Sequence, residues 1–282
     1  MKKILSLVLA LTLVLGCALS LASCGKKKTV IAVPNDTTNQ LRALQLLEVQ
    51  GLITVKKDAT ASDTLKQLIV ENPYNIEFKE VEAAQLPALL KDVDYAVINS
   101  NYAIEAGITP FVTEGTNVSY PNIIAVKAGN ENSPKIKALV AAVNSAAVAS
   151  YIANTYKGAI VCDLVNASEN GLDSTVDYAA LNGATIKIAA SPTPHAEILA
   201  KAKEILAGQG ITLQIIEYTD YVQPNLVVES GDCDANYFQH VPYLNDFNAE
   251  NRTSIVSVLE VHHEPMGVYS AKNTSFDAIK NK

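Results

Sequence analysis

Residues 31–53 read IAVPNDTTNQLRALQLLEVQGLI, and the reading of this stretch decides the architecture. A β-branched run, TVIAVP (29–34), gives way within a few residues to apolar positions at helical spacing over 38–53, closing at Gly51. Strand, short polar turn and helix make the opening of a βαβ unit. The same alternation continues outward. Strand-like segments fall at 75–81, 94–99, 122–129, 185–191, 213–219, 235–238, 254–261 and 266–270. Helical spacing covers 85–92, with Pro87 tolerated in the first turn, then 133–156 behind Ser133 and Pro134, and about 194–208. The pattern predicts an α/β protein whose mostly parallel sheets are flanked by helices. Residues 163–182, DLVNASENGLDSTVDYAALN, are polar and lack periodicity, and read as a surface connector.

The start of the chain has a different character. Lys2 and Lys3 precede an almost wholly apolar run, Ile4 to Ala22, which ends in LASC followed by GKKK. The run is long enough to span a bilayer as an uncleaved anchor. Its ending resembles the lipobox of bacterial lipoprotein signals, which predicts a signal peptide over 1–23, a lipidated Cys24 and a spacer over 24–28. Stable anchoring needs more than one acyl chain. The expected location is the membrane surface, lipid-anchored and facing outside the cytoplasm.

About 258 residues remain, enough for real cores. The formal charge is −7 and no basic stripe follows Lys26–Lys28, which argues against a nucleic-acid partner. Cys162 and Cys233 can bridge in an exported protein, but each also suits a small apolar position in a strand. No G-x-S-x-G, Cys–His arrangement or P-loop occurs, so neither an enzyme nor a cofactor is expected.

Three features carry potential chemistry. Arg42 stands near the start of a helix, where acids are usual. With Thr38 or Asn39 as cap, a bound carboxylate would gain both the helix terminus and a bidentate guanidinium contact. An outward Arg42 paired with Asp36 or Glu48 is the equal alternative. The second feature is the window 218–247, where Tyr218, Tyr221, Tyr237, Phe238, Tyr243 and Phe247 gather with His240. Aromatics beside amides suit either a ligand cleft or a core cluster under a loop. Third, His195, His262, His263 and Glu264 suggest a metal, yet adjacent histidines on a strand face opposite ways, so at most one of the pair joins a given site. No metal site is expected.

Longer motifs then resemble a known family. IAVPNDTTNQLRALQLLEVQGLI, EAAQLPALLKDVDYAVINSNYAIEAGI, PTPHAEIL, YTDYVQPN, ANYFQHVPYLNDFN and HHEPMGVYS are similar to the MetQ/NlpA family, the substrate-binding lipoproteins of methionine ABC importers. The resemblance covers nearly all of the mature chain. It implies a two-lobed periplasmic-binding-protein-like fold with the ligand in the interlobe cleft. It also implies capture of L-methionine or a close analogue, a membrane permease and its ATPase as partners, and action as a monomer. By motif, Arg42 would hold the ligand carboxylate beside Asn39. Asn99 would contact the polar head, and Tyr221, Phe238, His240 and Tyr243 would enclose the thioether chain. The alternatives are a metal-ion receptor and a receptor for another amino acid or a short Met-containing peptide.

The order of the motifs departs from the family. The half from PTPHAEIL to EPMGVYS ordinarily precedes the IAVPND half, so the chain resembles a circular permutation joined through 163–182. The expected division is lobe 1 over 29–118, lobe 2 over 119–270, and a tail, 271–282, returning to the hinge. This division predicts one covalent crossing between the lobes, near Val118–Asn122, and a lipid tether that leaves from near the hinge.

Overall fold

The computed structural model describes residues 28–60, 62–115 and 120–281. The predicted signal peptide, Cys24 with most of its spacer, and Val118 and Ser119 of the predicted crossing lie outside the described residues. Among the described residues no helix is long and apolar enough to cross a membrane.

Two lobes form, each around its own sheet. Lobe 1 comprises β1 (Val30–Pro34), α1 (Thr37–Val49), β2 (Thr54–Val55), α2 (Leu65–Leu68), β3 (Ile69–Glu71), β4 (Glu77–Val81), α3 (Leu86–Leu89), β5 (Tyr95–Ile98), α4 (Ser100–Glu105) and β6 (Val112–Thr113). Lobe 2 comprises β7 (Pro121–Lys127), α5 (Pro134–Val143), α6 (Ala146–Tyr156), β8 (Val161–Cys162), β9 (Thr185–Ala190), α7 (Glu197–Ala207), β10 (Thr212–Glu217), α8 (Gln223–Ser230), β11 (Ala235–His240), α9 (Val241–Asn251) and β12 (Ile255–His263). The chain then returns to lobe 1 as β13 (Gly267–Tyr269) and α10 (Asp277–Lys280). The strand orders are β4-β1-β5-β13-β6 and β10-β9-β11-β7-β12-β8, with β2 and β3 as a separate ribbon.

Local chemistry explains the elements and corrects two boundaries. Asp36, not Thr38 or Asn39, caps α1: its carboxylate accepts the Asn39 N–H at 2.9 Å. The helix therefore starts at Thr37 and Arg42 falls in its second turn. Ala43, Leu44 and Leu47 face the lobe 1 core with Ile31 and Val33. The expected single helix over 133–156 is two, α5 and α6. Ser145 breaks it, its hydroxyl accepting from the Val148 N–H as a new N-cap. The backbone of Ser168 pairs on both sides of this break, to the Asn144 carbonyl and the Ala146 N–H. The connector thus helps to split the helix, and its Val176, Tyr178 and Leu181 pack on the lobe 2 core.

The sheets are mixed rather than mostly parallel. Strands β4, β1 and β5 are parallel, as are β10, β9 and β11. Strand β13 runs antiparallel to β5, and β7 antiparallel to β11. The cause is connectivity. The βαβ strands end at the interlobe cleft, so a strand entering from the other lobe begins there and runs the opposite way.

The expected lobe boundary at 270 also moves. Strand β13 pairs with β5 and β6, so lobe 2 ends at His263 and the chain recrosses through 264–266. The described chain leaves lobe 1 after β6, enters lobe 2 at β7 and returns through Glu264–Met266, so lobe 2 is an insertion between β6 and β13. The tail does not replace a crossing. Phe276 packs against Phe111 and Tyr95 at ring-centroid distances of 5.1 and 5.5 Å, and the Tyr95 hydroxyl donates to the Ser275 carbonyl. The start of β1 and the start of the tail meet on lobe 1: Val30 N–H donates to the Asp94 carboxylate, and the Ser270 hydroxyl to the Asp94 carbonyl. This is the end of β1 opposite the cleft, so the described chain begins away from the cleft. Cys162 and Cys233 are both free thiols.

Phe276→Ala should lower stability by about 3 kcal/mol, because a buried aromatic leaves a cavity in a core that relaxes only partly. Chemical denaturation followed by circular dichroism measures this; an unchanged midpoint would show that the tail is not docked.

Candidate functional site

A cleft between the lobes is lined by the carboxyl ends of the parallel strands and by both crossings. Asn39 and Arg42 follow β1, Asn99 to Asn101 follow β5, Tyr221 follows β10, and Phe238 to His240 end β11. The crossings supply Asn122 at the start of β7 and Glu264 after β12. Ligands of open α/β sheets bind at these strand ends because loops and helix termini converge there. All seven residues singled out in the sequence, Arg42, Asn39, Asn99, Tyr221, Phe238, His240 and Tyr243, line this one cavity.

Arg42 is buried, at 5% exposure, and neither Asp36 nor Glu48 is its partner. Its Nε and Nη2 bind the Glu114 carboxylate, and Nη2 also donates to the Glu264 carbonyl at 2.7 Å. The guanidinium carbon lies 4.3 Å from the Tyr120 ring centroid, a cation–π contact. Nη1 makes no hydrogen bond among the described residues. Glu114 in turn accepts the Met266 N–H at 2.7 Å, so one ion pair clips α1 to both crossings.

The amides form the polar side. Asn99 Nδ2 donates to Asn39 Oδ1 at 2.8 Å, while Asn99 Oδ1 is buried without a partner among the described residues. His240 Nδ1 accepts the Tyr243 N–H at 3.2 Å, which leaves Nε2–H to face Asn39 Oδ1 at 3.4 Å across the lobes. Burial, with Arg42 second, holds the His240 pKa well below the usual value, so the ring is neutral. The lobes also join through Tyr221, whose hydroxyl donates to Asn101 Oδ1 at 2.7 Å, and through Thr38 to Asp246.

The aromatic window divides. Tyr221 lies 5.8 Å from Phe238 and 5.9 Å from Tyr243, and Phe247 backs Tyr243 at 6.2 Å. Tyr237, alternating on β11, points the other way into the lobe 2 core, and Tyr218 packs in a separate cluster. Phe238 and His240 share the cleft side.

His195, His262 and Glu264 do meet, with donor atoms all within 4.8 Å of one another, although the sequence favoured no such site. His263 faces away and contacts Asp163 at 2.9 Å. The arrangement is a hydrogen-bonded relay: the Tyr237 hydroxyl donates to His262 Nδ1, so Nε2 carries the proton and donates to Glu264 at 2.8 Å. His195 Nε2 donates to Asn122 Oδ1 at 2.9 Å. The histidine nitrogens nearest Glu264 thus already carry protons. Burial holds both rings far down, from 6.5 to about 3, and raises the pKa of the Glu264 carboxyl.

Sequence reasoning missed Glu114, Asn122 and the role of Glu264. Glu114 sits in a polar loop with no periodicity to mark it. Asn122 opens an apolar strand, and a polar residue at that place was the available signal.

A family model described as NlpA lipoprotein matches residues 20–163 and 186–282. The chain belongs to the NlpA lipoprotein family. Among relatives, it is 37% identical over 135 residues to a probable D-methionine-binding lipoprotein MetQ of Pasteurella multocida, covering 46% of this chain and 49% of that one. It is 39% identical over 139 residues to the methionine-binding lipoprotein MetQ of Bacillus subtilis, covering 46% and 50%. A solved nutrient binding protein from Burkholderia cenocepacia bound to methionine is 39% identical, with a TM-score of 0.44, over 48% of this NlpA chain and 60% of its own. The chain spans about half the length of the curated relatives it matches.

His262→Gln tests the neutral ring. The folded pKa lies below the unfolded one, so this histidine contributes stability above pH 6.5 and loses it as pH falls toward about 3. The drop in thermal midpoint between pH 6.5 and 4.5 should be shallower in the variant than in the wild type; equal slopes would contradict a buried neutral His262.

Proposed function

We propose that this NlpA lipoprotein is the substrate-binding component of an ABC importer and captures L-methionine or a close analogue by lobe closure. The observation that carries the reading is one closed cleft holding a buried cation, a row of amides and an aromatic wall on two different lobes. Arg42 Nη1 takes the ligand carboxylate. The contact is end-on, because Glu114 occupies the other edge of the guanidinium. Asn39 and Asn99 address the polar head, and Tyr221, Phe238, His240 and Tyr243 enclose the thioether, whose sulfur packs well against aromatic edges. Only closure assembles both halves, so ligand stabilises the closed state. The curated relatives named for methionine binding support the same ligand class. The protein acts without catalysis of its own, held outside the cytoplasm by lipid on Cys24, and delivers its ligand to a permease energised by a separate ATPase.

The halves stand in permuted order in this reading. Support comes from a family match in two blocks that omits 164–185, where the connector lies, and from relatives that align along only about half of their length. An alignment that follows chain order can pair only one half of a permuted chain.

Arg42→Ala should weaken methionine binding by about 2–5 kcal/mol, since a desolvated charge contact is lost. Near-normal affinity by calorimetry would overturn the assignment, as would stoichiometric metal, rather than methionine, copurifying with the wild type. A reordered chain, opened within 164–182 and joined from the tail to Thr29, should keep the methionine affinity of the wild type; failure to bind would count against the permutation alone.

A further inference from the structure

Next to the aromatic wall, lobe 2 buries three side-chain amides in one cluster: Asn225 on α8, and Asn236 and Gln239 on β11. Asn225 and Gln239 form a reciprocal pair. Asn225 Nδ2 donates to Gln239 Oε1 at 2.9 Å, and Gln239 Nε2 donates to Asn225 Oδ1 at 2.7 Å. Asn236 closes the ring: its Nδ2 donates to Asn225 Oδ1 at 2.8 Å and to the Pro224 carbonyl at 3.1 Å, and its Oδ1 accepts from Gln239 Nε2 at 3.1 Å. Every amide oxygen and nitrogen of the three is thus bonded. A buried polar network satisfied in this way permits one arrangement of the elements that carry it.

The cluster depends on an irregularity in β11. Residues three apart on a regular strand point to opposite faces. Asn236 and Gln239 meet because the strand bulges between them: Tyr237 pairs with Ile124 and Gln239 with Ile123, which leaves Phe238 as the extra residue. Phe238 stands in the cleft wall, 5.8 Å from the Tyr221 ring. Tyr221 lies four residues before Asn225, in the turn that leads into α8. An extra residue is unpaired in the ladder, so ladder pairing alone does not fix how far Phe238 projects. The amides tie both sides of the bulge to the helix that follows Tyr221.

We infer that the Asn225–Asn236–Gln239 cluster is a positioning device: it clamps the Phe238 bulge to the Tyr221 turn and so sets the length of ligand side chain that the cleft admits. The inference rests on the methionine reading above and adds residues that act through the aromatic wall. Among the described residues, Asn225 and Asn236 stand outside the lining of the cleft, so their effect on a ligand passes through Phe238 and Tyr221. Without the clamp the bulge and the turn move apart, and a wall that yields by one methylene no longer rejects a longer chain.

Calorimetry with L-methionine and L-ethionine, which has the same head group and one more methylene, tests the point. The wild type should prefer methionine by at least about tenfold, the scale of one methylene in a fitted apolar pocket. In Asn225→Ala the preference should fall toward parity, with methionine weakened more than ethionine. Asn236→Ala keeps the reciprocal Asn225–Gln239 pair, should lose part of the preference, and serves if Asn225→Ala does not fold. Leu206→Ala removes a buried side chain from the core of the same lobe, on α7. It should lower stability and leave the preference intact, which separates positioning from a general loss of packing. A preference kept in both amide variants, or lost equally in Leu206→Ala, overturns the inference alone, as does a wild type that binds the two ligands alike. A wild type that binds neither overturns it together with the methionine reading.

Discussion

A guanidinium taken out of water must find its charge partner inside the protein, and the Arg42–Glu114 pair meets that demand at the junction of every moving part. Desolvating the two ions costs several kcal/mol each, and excellent geometry is needed to offset it. Here the geometry is bidentate and further satisfied by the Glu264 carbonyl and the Met266 N–H. The partners come from α1, from the end of lobe 1 just before the first crossing, and from the second crossing. One buried ion pair therefore fixes where both connections leave lobe 1 and which way Arg42 faces the cleft. The connections between the lobes and the wall of the cleft share a single set of atoms.

The rest of the site follows from sheet topology. Parallel βαβ strands deliver their carboxyl ends to one edge, and two lobes built this way face each other edge to edge. Strands arriving across the gap begin at that edge, which reverses β7 and β13. The same arrangement places the second residue of β7, and the residue directly after β12, beside the cleft. Asn122 and Glu264 reach the cleft for this reason.

Much of this was legible in the sequence where one physical rule dominated. β-Branched runs before helical spacing mark β1 and α1, and β9, α7 and β10. The alternation along β11 put Phe238 and His240 on one side. Motif resemblance placed all seven ligand candidates in one cavity. Failures came where partners distant in sequence decide. The apolar period over 133–156 is continuous, yet Ser145 and the backbone of Ser168 end one helix and start another. MGVYS reads as a strand of whichever lobe it follows, but pairing with β5 assigns it to lobe 1. Asp36, three residues before Asn39, had the spacing of an N-cap and moved Arg42 out of the first turn. Glu114 gave no signal, because a buried carboxylate in a loop is identified only by the cation it meets.

The position of the described chain start has a mechanical meaning. Residue 28 enters at the outer end of β1, roughly 13 Å of strand away from the cleft at ~3.3 Å per residue. Neither end of the described chain lies in lobe 2. A pull applied at the described start of the chain would be borne in shear by the ladders of β1 with β4 and β5, outside the connections between the lobes. A molecule held at that start would keep lobe 1 fixed, and the pull would not load the connections to lobe 2.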